Sequence, residues 1–369
     1  MGFDSLKTDI FNTDLDFIQG RIKAIDPLSY GKSRNFVDGA VTYLSPYISR
    51  GVISTKQVLM SVLNRGHTPN QIEKFIQELA WRDYWQQIWI AKGDDINRDL
   101  KRPQPDVEHD NIPTAVVQAK TGIEAIDNAI TEFYKTGYLH NHVRMYIAAI
   151  CCNAAKSHWS LPAKWMYYHL LDGDWASNTL SWQWVAGANA NKKYFANQEN
   201  INKYCYSDQR GSYLDVSYSE IAQISIPNEL VETTNPALET PFPERSEIML
   251  DEAKPTLIYN YYNLDPSWRS DIDANRILLI EPSIFNDHPI SKNSIDFMLA
   301  LTENIPGIQI HVGEFKEILA ATSNEVIFKE HPLNHRYLGT EDSRDWMFDV
   351  KGYFPSFFGF WKKCKKQLQ

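Results

Sequence analysis

The hydrophobic and polar positions of the chain follow two different periods, with an irregular stretch between them. Residues 71–93 carry apolar side chains such as Phe75 and Leu79 at the three- and four-residue spacing of a helix, and Gly93 can end it. The same helical period recurs in three later segments: 121–135, 138–157 and 161–171. The pattern therefore predicts a mainly α-helical domain over residues 1–205.

The period is lost from residue 206 to about residue 255, where Pro, Glu and Thr are frequent. This stretch predicts an extended linker or a segment that wraps a surface. Short β-branched or aromatic runs then follow, each typical of a strand: 256–262, 276–282, 308–315 and 325–330. Because residues 291–305 between the second and third runs are helical in pattern, we expect a small parallel α/β domain over 256–369.

The chain closes on an aromatic cluster with a basic tail, GYFPSFFGFWKKCKK at residues 352–366. We expect this cluster to dock against the helical domain. The alternative is a nucleic-acid-binding patch, since aromatic and basic side chains are interleaved there.

The overall charge of −9 is unevenly distributed. Residues 1–205 hold 22 Lys and Arg against 21 Asp and Glu, whereas residues 206–369 hold 15 against 25. The helical part is therefore free to present a basic face to a phosphate backbone, despite the acidic total.

Several classes of protein are not supported by the motifs. The sequence has no P-loop, no G-x-G-x-x-G after a strand, no H-E-x-x-H and no G-x-S-x-G. The four cysteines lack metal-ligand spacing, so we expect no metal site and no disulfide framework. No apolar run is long enough for a membrane span and no secretory leader is apparent, so a cytoplasmic location is expected.

The chemistry-bearing residues fall into four segments: YLSPYISRG (43–51), ELAWRDYW (78–85), GYLHNHVRM (137–145) and LLDGDWASNTLSWQW (170–184). In the second segment a carboxylate, an indole and a guanidinium, Glu78, Trp81 and Arg82, can share one helix face. An ordinary ion pair on an amphipathic helix is the alternative explanation. In the fourth segment Asp172 and Asp174 flank a glycine that lets a ligand approach the backbone.

These four segments, in this order and spacing, resemble the FAD-binding helical domain of DNA photolyases and cryptochromes. The resemblance covers roughly residues 25–195 and implies FAD as cofactor and damaged DNA as partner. It implies cofactor contacts from Tyr30, Thr42, Leu44, Ser45, Arg82, Arg144, Asp172, Asp174 and Asn178. It implies that the lesion contacts Trp81, Asn141, His142, Met145 and Trp184. It also implies a pair between Arg144 and Asp172, and catalytic roles for Glu78, Asn178, Trp182 and Trp159.

The resemblance implies light-dependent repair of pyrimidine dimers by electron transfer from excited, reduced FAD. The lesion would be flipped out of the duplex at a cost of a few kcal/mol. Two indoles, Trp81 and Trp184, would then stack on the bases, each worth about 1–3 kcal/mol. Asparagine at position 178, opposite the flavin N5, is typical of photolyases rather than cryptochromes. Glu78 would stabilise the dimer's radical anion, and Trp182 and Trp159 would relay electrons to the flavin.

The chain departs from the family pattern in two places. The relay's third tryptophan falls in residues 98–118, which contain no aromatic residue. Either a different residue, such as Trp165 or Trp175, completes the relay, or photoreduction is impaired. The α/β part follows the helical part instead of preceding it, which resembles a permuted antenna domain, and no antenna chromophore is assigned.

Two other functions stay open. One is a cryptochrome-like blue-light photoreceptor without repair, whose C-terminal part would bind a protein partner. The other is a flavoprotein that has lost its light-dependent role. His140 and His142 also leave open a (6-4) photoproduct as the lesion, because its repair needs a histidine acid.

Overall fold

The computed structural model describes residues 10–368 and separates them into two compact units. Unit 1 comprises residues 10–25, 42–91 and 239–368, and unit 2 comprises residues 26–41 and 92–238. The boundaries predicted for the helical, linking and α/β segments stay a prediction.

Helices occupy most of the first 205 residues, as predicted, and six of the described helices there begin at a residue whose side chain accepts a backbone amide of the first turn. The α-helices are α1 Leu15–Lys23, α2 Pro27–Ser33, α3 Ser45–Ser49, α4 Thr55–Leu63, α5 Glu73–Lys92, α6 Thr114–Val117, α7 Glu124–Thr136, α8 Asn141–Ala149, α9 Ser160–His169, α10 Trp175–Ala186, α11 Gln198–Cys205, α12 Tyr218–Ile221, α13 Pro282–Asp287, α14 Lys292–Thr302, α15 Phe315–Ala321 and α16 Phe357–Cys364. The strands are β1 Ile112–Pro113, β2 Thr233–Thr234, β3 Thr256–Tyr259, β4 Asn275–Ile280, β5 Ile308–Val312, β6 Val326–Lys329 and β7 Thr340–Asp342.

Unit 2 is built mainly from α7 to α11 around one apolar core. That core takes in the buried faces of α7 and α8, both indoles of the predicted relay, and apolar residues from the stretch after residue 205. The helix predicted over 138–157 is shorter than expected, because α8 passes at Ile150 into one π-helical turn that ends at Ala154. Turns of this kind are rare and frequently lie at functional sites.

Unit 1 contains a five-stranded sheet in the order β5-β4-β3-β6-β7, and all four strand pairings are parallel. This is the order of a doubly wound α/β sheet, so the predicted parallel sheet is confirmed. One face packs Ile258, Ile277 and Phe328 against α15 through Phe315 and Ile318.

The edge strand β5 is covered by part of the stretch that the sequence predicts to link or wrap. The Arg245 side chain donates to the Val312 carbonyl at 2.6 Å, and Ser246 donates to the Ile310 carbonyl at 3.0 Å. The Gln309 side chain exchanges two hydrogen bonds with the Met249 backbone, at 2.7 and 2.8 Å. These bonds occupy an edge that would otherwise be open to pairing with another chain.

Candidate functional site

Unit 1 carries on α5 three of the predicted site residues, with Glu78 expected in catalysis, Trp81 at the lesion and Arg82 at the cofactor. Glu78, Trp81 and Arg82 are all half-buried, and the Arg82 guanidinium donates to the Ser49 hydroxyl at 2.8 Å. The Trp81 indole lies 5.0 Å from the Trp85 ring and is stacked on the Phe357 ring with centroids 3.8 Å apart and 10° between planes. The C-terminal helix α16 therefore covers one face of this indole.

The C-terminal segment is attached to α5 along its length, which agrees with the docking predicted for the aromatic cluster. Trp361 and Lys365 both donate to the Glu73 carboxylate, at 3.1 and 2.9 Å. The Tyr84 hydroxyl donates to the Phe354 carbonyl at 3.1 Å, and the Gln87 side chain accepts from a backbone amide. Phe357, Phe360, Trp361 and Cys364 are buried.

A carboxylate that the sequence reasoning missed lies next to these residues. Asp83 is buried and accepts from the Met347 amide at 2.9 Å and from the Thr55 hydroxyl at 3.1 Å. Burial raises the pKa of Asp83 to about 6, although these bonds and the nearby Arg344 act in the opposite direction. Only its position among apolar neighbours on α5 could have indicated burial from the sequence.

The cofactor-contacting residues predicted between positions 30 and 45 lie partly in each unit, and the structure gives them local roles. In unit 1 the Leu44 amide donates to the Thr42 hydroxyl at 3.3 Å, and the Leu44 side chain is fully buried. Leu44 could therefore offer a ligand only its backbone. Ser45 opens the short helix α3, and Tyr30 lies half-buried in α2 of unit 2.

Unit 2 brings together the polar residues of the fourth segment. One nitrogen of Arg144 donates to both oxygens of Asp172 at 2.9 Å, so the pair expected between them is present. Asp174 caps α10 by accepting the Ser177 amide at 2.7 Å. The Asn178 amide donates to the Ala163 carbonyl at 2.8 Å.

The remaining lesion-contacting residues of unit 2 differ in exposure. Asn141 is exposed and its amide lies 4.0 Å from the Met145 sulfur. Trp184 is 40% exposed and lies beside Tyr194, with ring centroids 5.8 Å apart. The exposed part of this indole is available for a base to stack on.

Both histidines of the third segment are held by backbone groups. The His140 Nδ1 accepts the His142 amide at 3.2 Å, so its Nε2 must be the protonated nitrogen that donates to the Arg34 carbonyl at 3.0 Å. Burial lowers the pKa of His140 to about 4. His142 donates from Nδ1 to the Asn35 carbonyl at 2.7 Å, and burial lowers its pKa as well.

The two predicted relay indoles are core residues. Trp159 and Trp182 are each 2% exposed and belong to the same apolar core of unit 2. The Trp159 Nε1 donates to the Asp99 carboxylate at 2.7 Å, and the Trp175 Nε1 donates to the Asn97 amide oxygen at 2.8 Å. Asp99 lies in the segment that lacks the third tryptophan, but the sequence reasoning did not single it out.

The polar atoms next to Asn178 bear on whether this part of unit 2 fits FAD. The hydroxyl oxygens of Ser177 and Thr179, its two neighbours on α10, are buried and have no hydrogen-bond partner among the described residues. Such atoms are costly unless something bonds to them. Because residues two positions apart do not face each other on a helix, each hydroxyl is a separate candidate partner, and either would fit a hydrogen bond to the ribityl or isoalloxazine portion of a flavin.

Within residues 10–368, no group of histidine, cysteine or acidic side chains could hold a metal ion, and no helix is long and apolar enough to cross a membrane. Neither finding adds a candidate site.

Residues 75–256 match the family model described as the FAD binding domain of DNA photolyase. A deoxyribodipyrimidine photo-lyase of Synechococcus sp. is 30% identical over 44% of this chain and 36% of its own length. One of Alkalihalophilus pseudofirmus is 26% identical over 49% and 39%, and cryptochrome-1 of Arabidopsis thaliana is 24% identical over 53% and 31%. The chain thus spans well under half the length of these relatives. A Synechocystis cryptochrome structure superimposes over 53% of this chain and 45% of its own, with 21% identity and a TM-score of 0.46.

Proposed function

We propose that this chain, which belongs to the DNA photolyase and cryptochrome family through the FAD-binding domain at residues 75–256, binds FAD and uses light to split pyrimidine dimers in DNA. The observation that carries the proposal is the polar cluster of unit 2. There Arg144 is paired with Asp172, Asp174 caps α10, and Asn178 on the same helix is held by the Ala163 carbonyl, while the hydroxyls of Ser177 and Thr179 have no hydrogen-bond partner among the described residues.

When bound, reduced FAD supplies on illumination the electron that opens the dimer ring. Arg144 and Asp172 would fix the isoalloxazine, and the charge-assisted bond between them holds both side chains in one geometry before the cofactor binds. Asp174 would accept a hydrogen bond from the flavin ring. The Asn178 amide, oriented by the Ala163 carbonyl, would face the flavin N5 with a group that does not titrate.

In unit 1 the side chains on α5 would receive the lesion. Trp81 would stack on a flipped base, and Glu78 would hydrogen-bond the dimer and stabilise its radical anion through an electrostatic contact. The other assignments, Tyr30, Thr42, Leu44, Ser45, Arg82, Asn141, Met145 and Trp184, stay predictions.

We propose a cyclobutane dimer, rather than a (6-4) photoproduct, as the lesion. The latter requires a histidine that donates a proton to the substrate. His140 offers no such proton, since both ring nitrogens are bonded to backbone groups and its pKa is lowered to about 4. His142 gives its Nδ1 proton to the Asn35 carbonyl, which leaves only an acceptor nitrogen in the neutral ring.

The decisive experiment is a repair assay on the purified chain loaded with FAD and chemically reduced. Under blue light, a cyclobutane-dimer oligonucleotide should be repaired and a (6-4) oligonucleotide should not. Glu78→Ala should slow repair about tenfold or more, because a hydrogen bond to a charged group is worth about 1.5–3 kcal/mol. The matched control Glu132→Ala, on α7 in a pair with Lys135, should repair normally. Stable FAD binding without repair of either lesion would refute the proposal.

A photoreceptor without repair activity is the second candidate. It is favoured by the attachment of α16 to α5, because a C-terminal element that contacts the lesion-facing helix is suited to report a change there. If illumination changes the rate of proteolysis of the C-terminal segment, and the chain does not repair dimers, the photoreceptor function is established in place of dimer repair.

A further inference from the structure

One tryptophan of the predicted electron relay, Trp159, is hydrogen-bonded to a carboxylate, that of Asp99. The Trp159 Nε1 lies 2.7 Å from the Asp99 Oδ1, which is the short end of the range for a bond to a charged acceptor. The indole itself is 2% exposed. Its N–H therefore has a carboxylate beside it and almost no contact with water.

Asp99 is oriented for this contact by its neighbours. Its second oxygen accepts the Gln104 amide at 2.7 Å, and the Gln104 side chain accepts the Trp159 backbone amide at 2.9 Å. The His158 Nε2 lies 3.4 Å from the oxygen that bonds the indole, and the side chains of Asp99 and His158 are 22% and 23% exposed. A proton that reached Asp99 would therefore have a route to solvent.

We infer that Asp99 is the proton acceptor that makes Trp159 the terminal electron donor of the relay. This inference rests on the proposed function, since the oxidant is a light-excited, oxidised flavin. An electron leaves Trp159 for the hole on Trp182, the indole N–H bond breaks, and the proton forms a neutral carboxylic acid on Asp99. What remains is a neutral tryptophan radical, and return of one electron and one proton restores the starting state.

The physical reason is charge. A tryptophan radical cation buried in an apolar core is stabilised by a nearby carboxylate, and transfer of the proton removes the buried charge altogether. Return of the electron is then slowed, because the proton must return with it. A distal surface tryptophan achieves the same separation by distance, and the segment that lacks that tryptophan is the one that supplies Asp99.

Trp175 provides an internal comparison. Its Nε1 donates at 2.8 Å to the Asn97 amide oxygen, and its indole is 8% exposed. An amide oxygen satisfies the N–H but takes up no proton at neutral pH. Asn97 therefore only satisfies the buried indole N–H of Trp175, whereas Asp99 can also take up the proton of Trp159.

The test is time-resolved visible absorption of the FAD-loaded full chain, with the flavin oxidised, after a blue-light pulse. Neutral and cationic tryptophan radicals differ in their visible bands. The wild type should form the neutral radical, and Trp159→Phe should abolish it while Trp175→Phe should not. Asp99→Asn should leave the cation or shorten the radical lifetime roughly tenfold, which corresponds to about 1.4 kcal/mol of barrier. Asp99→Glu, which keeps the carboxylate, should restore most of the signal if Asp99→Asn acts through the proton and not through folding.

The same neutral radical, with the same lifetime, in wild type and Asp99→Asn would overturn the inference, and so would no tryptophan radical in the wild type. Dimer repair by chemically reduced protein does not use the relay and is measured in parallel. If dimers are repaired and the radical of Asp99→Asn is the same as that of the wild type, this inference alone is refuted. If the chain does not bind FAD or does not repair dimers, the proposed function is refuted.

Discussion

Removal of the Phe357 ring should destabilise unit 1, because this ring covers one face of Trp81. Phe357 is 3% exposed, and its ring is stacked 3.8 Å from the Trp81 ring and lies 5.7 Å from that of Tyr84. Truncation of a buried phenylalanine to alanine typically costs about 3–5 kcal/mol. We expect Phe357→Ala to lower the free energy of unfolding by about 3 kcal/mol, since Trp81 is only half-buried and the cavity can partly close.

The neighbouring ring on α16 is the matched control. Phe358 is 68% exposed, so Phe358→Ala should change the free energy of unfolding by no more than about 0.5 kcal/mol. Urea denaturation followed by tryptophan fluorescence measures both variants. A double-mutant cycle with Trp81→Leu should give a coupling of about 0.5–1.5 kcal/mol for the stacked pair. A loss below about 1 kcal/mol for Phe357→Ala, or an equal loss for Phe358→Ala, would show that α16 does not support this indole.

Three further predictions concern single buried or constrained positions. The pKa of Asp83 is raised to about 6 in the folded protein. Its protonated form therefore stabilises the fold at low pH by about 3 kcal/mol, and this contribution is lost as the pH rises through 6. The difference in unfolding free energy between wild type and Asp83→Asn should therefore vary between pH 4 and 7, and a constant difference would contradict the raised pKa. Asp172→Asn should cost about 3 kcal/mol in denaturant titrations by leaving Arg144 uncompensated, whereas Glu132→Gln in an exposed pair should cost under about 1 kcal/mol. Gly51→Ala should cost at least about 2 kcal/mol in the same measurement, because φ is +69° there and a Cβ would lie 2.4 Å from a backbone carbonyl.

Local periodicity predicted the regular elements well where the pattern is long or strongly apolar. The helix expected over 71–93 is Glu73–Lys92, and the run expected over 276–282 is the strand Asn275–Ile280. The strand Thr340–Asp342 was missed, because its three residues are polar and lie at the end of the sheet order. The π-helical turn Ile150–Ala154 was also missed, since its apolar sequence continues the helical pattern.

The candidate site was less accessible to sequence reasoning. The Arg144–Asp172 pair was expected from the family resemblance, not from spacing, and joins residues 28 positions apart. The role of Asp83 depends on a backbone amide 264 positions away, and no local pattern reports such a contact. Composition and hydrophobic period indicate whether a segment forms a helix or a strand. The hydrogen-bond partners of a buried polar atom depend instead on which distant segments fold against it.

The missing third tryptophan shows what this difference means for function. From the sequence alone, a segment without aromatic residues indicates an incomplete relay and weakens the case for a light-driven enzyme. The same segment folds so that Asp99 accepts the Trp159 N–H, so it supplies a candidate proton acceptor where it supplies no aromatic side chain. A relay requires that charge stay separated long enough for the flavin to be used, and either distance or deprotonation can provide that separation. The measurement that decides between an incomplete relay and an altered one is therefore the protonation state of the Trp159 radical.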